Sequence, residues 1–115
     1  GNLDAKRDWG HAKDYVVAMH SMLMNAWPKD YVVSTGQTRS VREFCEYAFN
    51  LIDCNYQDYI EKDERFFRPS DVPHLHGISK KIKDDLGWES KITFEQLVSD
   101  MIENDIKKFD RKILL

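Results

Sequence analysis

Apolar residues first recur at helical spacing over Lys13–Asn25. Tyr15, Val16, Met19, Met22 and Leu23, with Ala26 just beyond, fall three and four apart and predict a core-facing stripe. Trp27-Pro28-Lys29-Asp30 ends the pattern, because proline disfavours a helical residue before it. Tyr31–Ser34 is short and β-branched, stops at Thr35-Gly36, and predicts a buried strand. Ser40 and Glu43 then form a capping box. It opens a helix whose stripe is Val41, Phe44, Cys45, Ala48 and Ile52 and which runs to about Asp53.

Beyond that helix the pattern weakens. Tyr56–Ile60 predicts a second strand, and Glu61 to Pro73 reads as an ordered loop. Ser79 is placed to cap a short helix, Lys80 to Leu86, that Gly87 stops. Thr93 and Gln96 repeat the capping box ahead of Phe94, Leu97, Val98, Met101 and Ile102, in a final helix fading near Phe109. The expected fold class is α/β, a small layer of about four helices and two or three short strands. Residues 1–115 form a single domain with no repeat or linker. The chain opens with no strand before Gly1-Asn2-Leu3, as though the preceding element were missing, which suggests a piece of something larger.

Composition narrows the function. Apolar residues make up 42% and charged residues 32%, the balance of a globular chain rather than a disordered one. No apolar run nears the roughly 20 residues that span a bilayer. The polar, charged opening is unlike a signal peptide, so a cytoplasmic location is expected. A net charge of −3 argues against a nucleic-acid surface, which needs a basic face. Two cysteines, Cys45 and Cys54, are too few for a disulfide framework, and Cys45 is expected as a buried thiol.

No Gly-rich nucleotide loop, G-x-S-x-G elbow or H-E-x-x-H pair is present. His74 and His76 alternate in an extended stretch, with rings on one side, but supply half a zinc site at most, so no metal is expected. Asp14 fits a first helical turn, and Asp8 is expected to pair with Arg7 or Lys6. Arg7 stands just before a helix start, where amide donors favour an anion and a guanidinium adds a bidentate grip on phosphate. The plainer alternative is a surface salt bridge. Arg68 is stiffened by Pro69, and Asp71 follows as an acceptor for a ribose or base edge; the plainer alternative there is an Arg–Asp pair closing the turn. Two arginines, each built into a bend, make a nucleotide diphosphate a plausible ligand.

These residues also carry a resemblance. "GNLDAKRDWGHAKDYV", "DYVVSTGQTRSVREF", "RFFRPSDV" and "LGWESKITFEQLVSDMIENDI" resemble, in this order, the substrate-binding part of the GDP-mannose 4,6-dehydratases, a family of extended short-chain dehydrogenase/reductases. The likeness runs from Gly1 to about Asp110 and implies a C-terminal lobe that closes over the GDP half of GDP-mannose. By the same resemblance, an N-terminal Rossmann domain outside this chain holds NADP and the catalytic Thr/Glu/Tyr/Lys groups, and the complete enzyme is a homo-oligomer. The family reaction oxidises C4 of mannose, eliminates water across C5–C6 and returns the hydride to C6, on the way to GDP-fucose and related deoxysugars. Carried over by motif, Arg7 contacts the diphosphate, and Arg68 and Asp71 hold the nucleotide. No catalytic, cofactor or metal residue is expected in this segment, which is expected to be inactive alone.

Three departures stand out. Asp71 replaces the usual glutamate, Asn50–Phe67 is shorter than usual, and Gly77-Ile78 stands where the family has Gly-Asp. Two alternatives stay open: a stand-alone, non-catalytic nucleotide-sugar-binding or oligomerisation module, and a relative acting on another nucleotide sugar.

Overall fold

The computed structural model describes residues 1–113. Its elements are strand β1 (Lys6–Asp8), helix α1 (Ala12–Met24), strand β2 (Thr38–Ser40), helix α2 (Val41–Asn50), helix α3 (Lys80–Leu86) and helix α4 (Phe94–Ile113). The α/β class, the four helices and the count of two short strands stand as expected. The positions of the strands do not.

Tyr31–Ser34 is extended but joins no ladder, and the expected strand at Tyr56–Ile60 is a single 3-10 turn, Tyr56–Asp58, capped by the Asn55 side chain. A strand needs a neighbour to take its amide and carbonyl groups, and among the described residues no backbone hydrogen bond reaches 31–34. The strands that do form, Lys-Arg-Asp and Thr-Arg-Ser, are short and polar, so hydrophobic alternation does not mark them. They pair antiparallel, Lys6 with Ser40, Arg7 with Arg39 and Asp8 with Thr38. The far edge of β1 takes the chain around His74: the Lys6 amide donates to the Pro73 carbonyl at 2.8 Å, and Leu75 donates back to Lys6 at 3.1 Å.

Helix boundaries follow their caps. Ser40 and Glu43 exchange both bonds of the box, at 3.0 and 2.6 Å, and Thr93 and Gln96 do the same at 3.2 and 2.9 Å. The Ser40 amide holds the Glu43 carboxyl below its ordinary range. Gly87 ends α3 at φ +69°, as expected of a left-handed stop. Ser79 makes no side-chain cap, contrary to expectation; its backbone is already turned toward the helical region. α2 stops at Asn50 rather than Asp53, leaving Ile52 exposed, and α4 continues past Phe109 to Ile113.

One core gathers Ala18 of α1, Ile82 of α3 and Trp88, with Tyr15, Met22, Tyr31, Val33 and Leu86 around them. A second joins α2 to α4 through Phe44, Tyr47 and Phe94, with Leu97 and Val98 buried beside them. Asp14 ties α1 to the chain ahead of α4. Its Oδ2 accepts from the amides of Lys91 and Ile92, both at 2.9 Å, and from the Ser90 hydroxyl at 3.0 Å, while its carbonyl accepts from the Trp88 indole. Burial raises the Asp14 pKa; the donors from Ile92, Lys91 and Ser90, with nearby His11, outweigh it and hold the group below its ordinary value.

The core stripe expected on α1 is only partly inside. Tyr15 and Met22 pack inward, but Val16, Met19, Leu23 and Ala26 are exposed, Leu23 at 79%. The helix is apolar on both faces, and the described residues cover one of them. The chain is elongated, 50 × 40 × 21 Å, with a radius of gyration of 17.3 Å against about 13 Å for a compact domain near this length.

Candidate functional site: the Arg7 junction

Three segments meet at β1, and each is tied to a different residue of the Arg-Asp-Trp run. Arg7 reaches sideways to the loop after the Arg-Pro bend. Its Nη1 donates to the carbonyls of Lys6 and Val72, both at 2.8 Å, and its Nη2 donates to Oδ1 of Asp71 at 2.8 Å. Asp8 turns to the other face and closes the turn before β2. Its Oδ1 accepts from the amide and hydroxyl of Thr35, and its Oδ2 accepts from the Gly36 amide at 2.9 Å. Gly36 sits at φ +79°, a left-handed turn that favours glycine. Trp9 donates its indole N–H to the Arg39 carbonyl at 2.9 Å and lays its ring on Phe44, 4.7 Å between centroids.

The pairing of β1 with β2 sets Arg7 opposite Arg39, a repulsive arrangement unless each charge is drawn off. It is drawn off both ways. Arg39 stacks over the Phe94 ring at 5.6 Å near Glu95, and Arg7 leans to Asp71.

Beside Arg7 lies an open cleft of about 320 Å³, walled by Asp8, Tyr15, Val33, Ser34 and His76 among others. Tyr15 has its pKa raised by burial and by the carboxylates of Asp8 and Asp14, so the phenol stays protonated. His76 and His74 stack with rings 6.1 Å apart, on one side as the alternation predicts; Nε2 of each meets the 36–38 turn, at the Gly36 carbonyl and the Thr38 hydroxyl. Gly77 lies so close to Ser34 that a Cβ there would sit 2.4 Å from the serine Cβ. That contact accounts for glycine at this wall. Ile78, at the following position, is exposed to solvent.

The structure brings two of the three expected site residues together. Arg7 and Asp71 pair across 64 positions, rather than Asp71 closing its own turn on Arg68. Arg68 stands exposed, with its side chain in no hydrogen bond or ion pair among the described residues; its carbonyl accepts from the Asp71 amide at 3.2 Å, so the bend itself forms. Arg7 is not at a helix start, since Trp9, Gly10 and the capping His11 intervene before α1 and the arginine belongs to β1. Asp8 pairs with neither Arg7 nor Lys6. The turn amides it accepts had one signal in the sequence, the Thr-Gly that ends the 31–34 run.

A dinucleotide needs several glycines where a strand enters a helix. Between β1 and α1 there is one, Gly10, and a Cβ on it would meet the Tyr15 hydroxyl at 1.9 Å, so it serves ring packing. The described residues do not fit NADP. Among them, no three His, Cys, Asp or Glu side chains gather around a metal position, and no helix is long and apolar enough to cross a membrane. Both cysteines are free; Cys45 is half-buried, and burial pushes its thiol pKa up.

The fold recurs as part of larger solved structures. It superposes on part of the dTDP-glucose 4,6-dehydratase of Bacillus anthracis with a TM-score of 0.80 at 23% identity, over 93% of this chain and 33% of that one. It also superposes on RMD of Pseudomonas aeruginosa, solved with NADPH, with a TM-score of 0.75 at 22% identity, over 90% and 33%. Sequence sharpens the assignment. The family described as GDP-mannose 4,6 dehydratase matches residues 1–101, and GDP-mannose 4,6 dehydratase 1 of Arabidopsis thaliana is 44% identical over all 115 residues. The chain belongs to the GDP-mannose 4,6-dehydratase family. It spans about a third of the length of the curated relatives it matches, 32% of the Arabidopsis protein.

Proposed function

We propose that this chain is the GDP-gripping lobe of a GDP-mannose 4,6-dehydratase, a lyase that forms GDP-4-keto-6-deoxy-mannose. The observation that carries the reading is family membership across residues 1–101. Arg7, fixed in β1 at the mouth of the cleft, holds the diphosphate, and Arg68 and Asp71 on the adjoining bend complete the hold on the nucleotide. The chemistry at the sugar, and the NADP that accepts and returns the hydride, belong to a Rossmann domain outside this chain. A cytoplasmic, homo-oligomeric complete enzyme goes with this reading.

Two features support a missing neighbour. A folded monomer of 13.6 kDa exposes roughly 6,600 Å²; this chain exposes 8941 Å², about a third more. Part of the exposed apolar surface lies on the outer face of α1 and runs on to Trp27 and to Val32, within the 31–34 segment that has no strand partner. A sheet supplied by the Rossmann domain would cover both.

The test is turnover. With GDP-mannose and NADP, a family-length protein carrying this segment yields the 4-keto sugar, and the 115-residue chain alone yields none. Product from the chain alone, or none from the longer protein, overturns the reading.

A further inference from the structure

We infer that the overhanging end of α4 is a pairing surface for a second copy of this chain, with the two helices antiparallel. α4 has 20 residues, and α2, the helix packed against it, has 10. At about 1.5 Å of rise per residue, α2 is long enough to cover only the first part of α4. Val98, Ile102, Ile106 and Phe109 follow one another at helical spacing and form a single stripe along α4. The stripe leaves the core as it runs. Val98 is fully buried and Ile102 half-buried, but Ile106 is 47% exposed and Phe109 65%. The opposite side of the helix is used within the chain, where Asp100 meets His11 and Lys13.

The charges beside the stripe choose the partner. Asp105 and Lys112 are exposed on one flank, one heptad apart and so at nearly the same angle around the helix. A second copy laid antiparallel, with the two-fold axis between Ile106 and Phe109, brings Asp105 of each copy to Lys112 of the other. Ile106 of each copy then lies against Phe109 of the other. On the second flank Glu103 is drawn to Lys107 of its own helix at 3.9 Å, and Lys107 stands within reach of Asp110 of the second copy. One patch thus serves both copies, as a two-fold contact requires. Asp105 and Asp110 beside the stripe disfavour an anionic membrane surface in its place. The contact is about three turns long, so the pairing is weak and shows at high protein concentration. It is independent of the nucleotide grip and of the outer face of α1.

Sedimentation equilibrium of the chain carrying Met19→Gln and Leu23→Gln isolates this contact, because the outer face of α1 no longer contributes. Circular dichroism confirms that each further variant keeps its helices. Concentration-dependent dimerisation is expected, and a chain that stays monomeric up to millimolar concentration overturns the inference. Phe109→Ser is expected to weaken the dimer at least about tenfold, because each copy loses an anchor. Asp105→Lys alone and Lys112→Asp alone are each expected to weaken it about fivefold. An equimolar mixture of those two variants is expected to regain it, since each charge then meets its opposite. Dimerisation untouched by Phe109→Ser puts the contact elsewhere, and a tighter dimer of Asp105→Lys means a parallel pair. Either result, or a mixture that fails to recover, overturns the inference.

Discussion

The two faces of α1 carry similar residues and meet opposite fates. Inward, Ala18 is wholly buried against Ile82 and Trp88, and Asp14 spends its carboxylate on three donors from the chain leading to α4. Outward, Val16, Met19 and Leu23 stand in solvent. A helix that is apolar all round belongs in the interior of something larger. The inner face shows how far this chain builds its own core, and the outer face shows where that core stops.

The largest effects fall on the inner face. Trp88→Ala removes a buried aromatic ring and the indole donor to Asp14, and is expected to cost about 3–5 kcal/mol, enough to unfold much of the chain in a urea titration. Asp14→Ala strands the amides of Lys91 and Ile92 and is expected to cost about 2–3 kcal/mol in the same titration. Acid sharpens that comparison. The native state holds the Asp14 carboxyl below its ordinary value of 3.8, so its contribution is complete above that value and is lost as pH falls through the lower native one. Asp14→Asn is expected to flatten this acid-side loss, and denaturation midpoints between pH 5 and pH 2 would show it. On the outer face, Met19→Gln with Leu23→Gln is expected to change stability by less than about 0.5 kcal/mol. The same pair should reduce self-association in sedimentation. A large stability loss from it would mean that the outer face is already packed, and the contrast would collapse.

The same contrast explains what was legible in the sequence. Caps and stops are local, so Ser40–Glu43, Thr93–Gln96 and Gly87 sit where their chemistry places them. Periodicity reports that a face is buried in the finished protein without saying by what. It marked Val16, Met19 and Leu23 as core and Tyr31–Ser34 as strand; among the described residues the first three face solvent, and 31–34 packs Tyr31 and Val33 on the core while its backbone joins no ladder. β1 and β2 escaped notice because three polar residues in a strand carry no alternation. At the site, the arginine and aspartate were legible as charged residues near bends. Their meeting was not, because a contact across 64 positions has no local signature. Nor had the sequence shown that Asp8 would serve the Thr35-Gly36 turn instead of its basic neighbours.

The claim that this lobe grips a guanosine diphosphate is tested most directly by calorimetric titration of the chain with GDP, beside UDP and dTDP, in the unaltered protein and in Arg7→Ala. GDP is expected to bind more tightly than the two pyrimidine nucleotides, and Arg7→Ala is expected to weaken it at least about tenfold. Equal binding of all three nucleotides, or GDP binding untouched by the loss of Arg7, would contradict the claim.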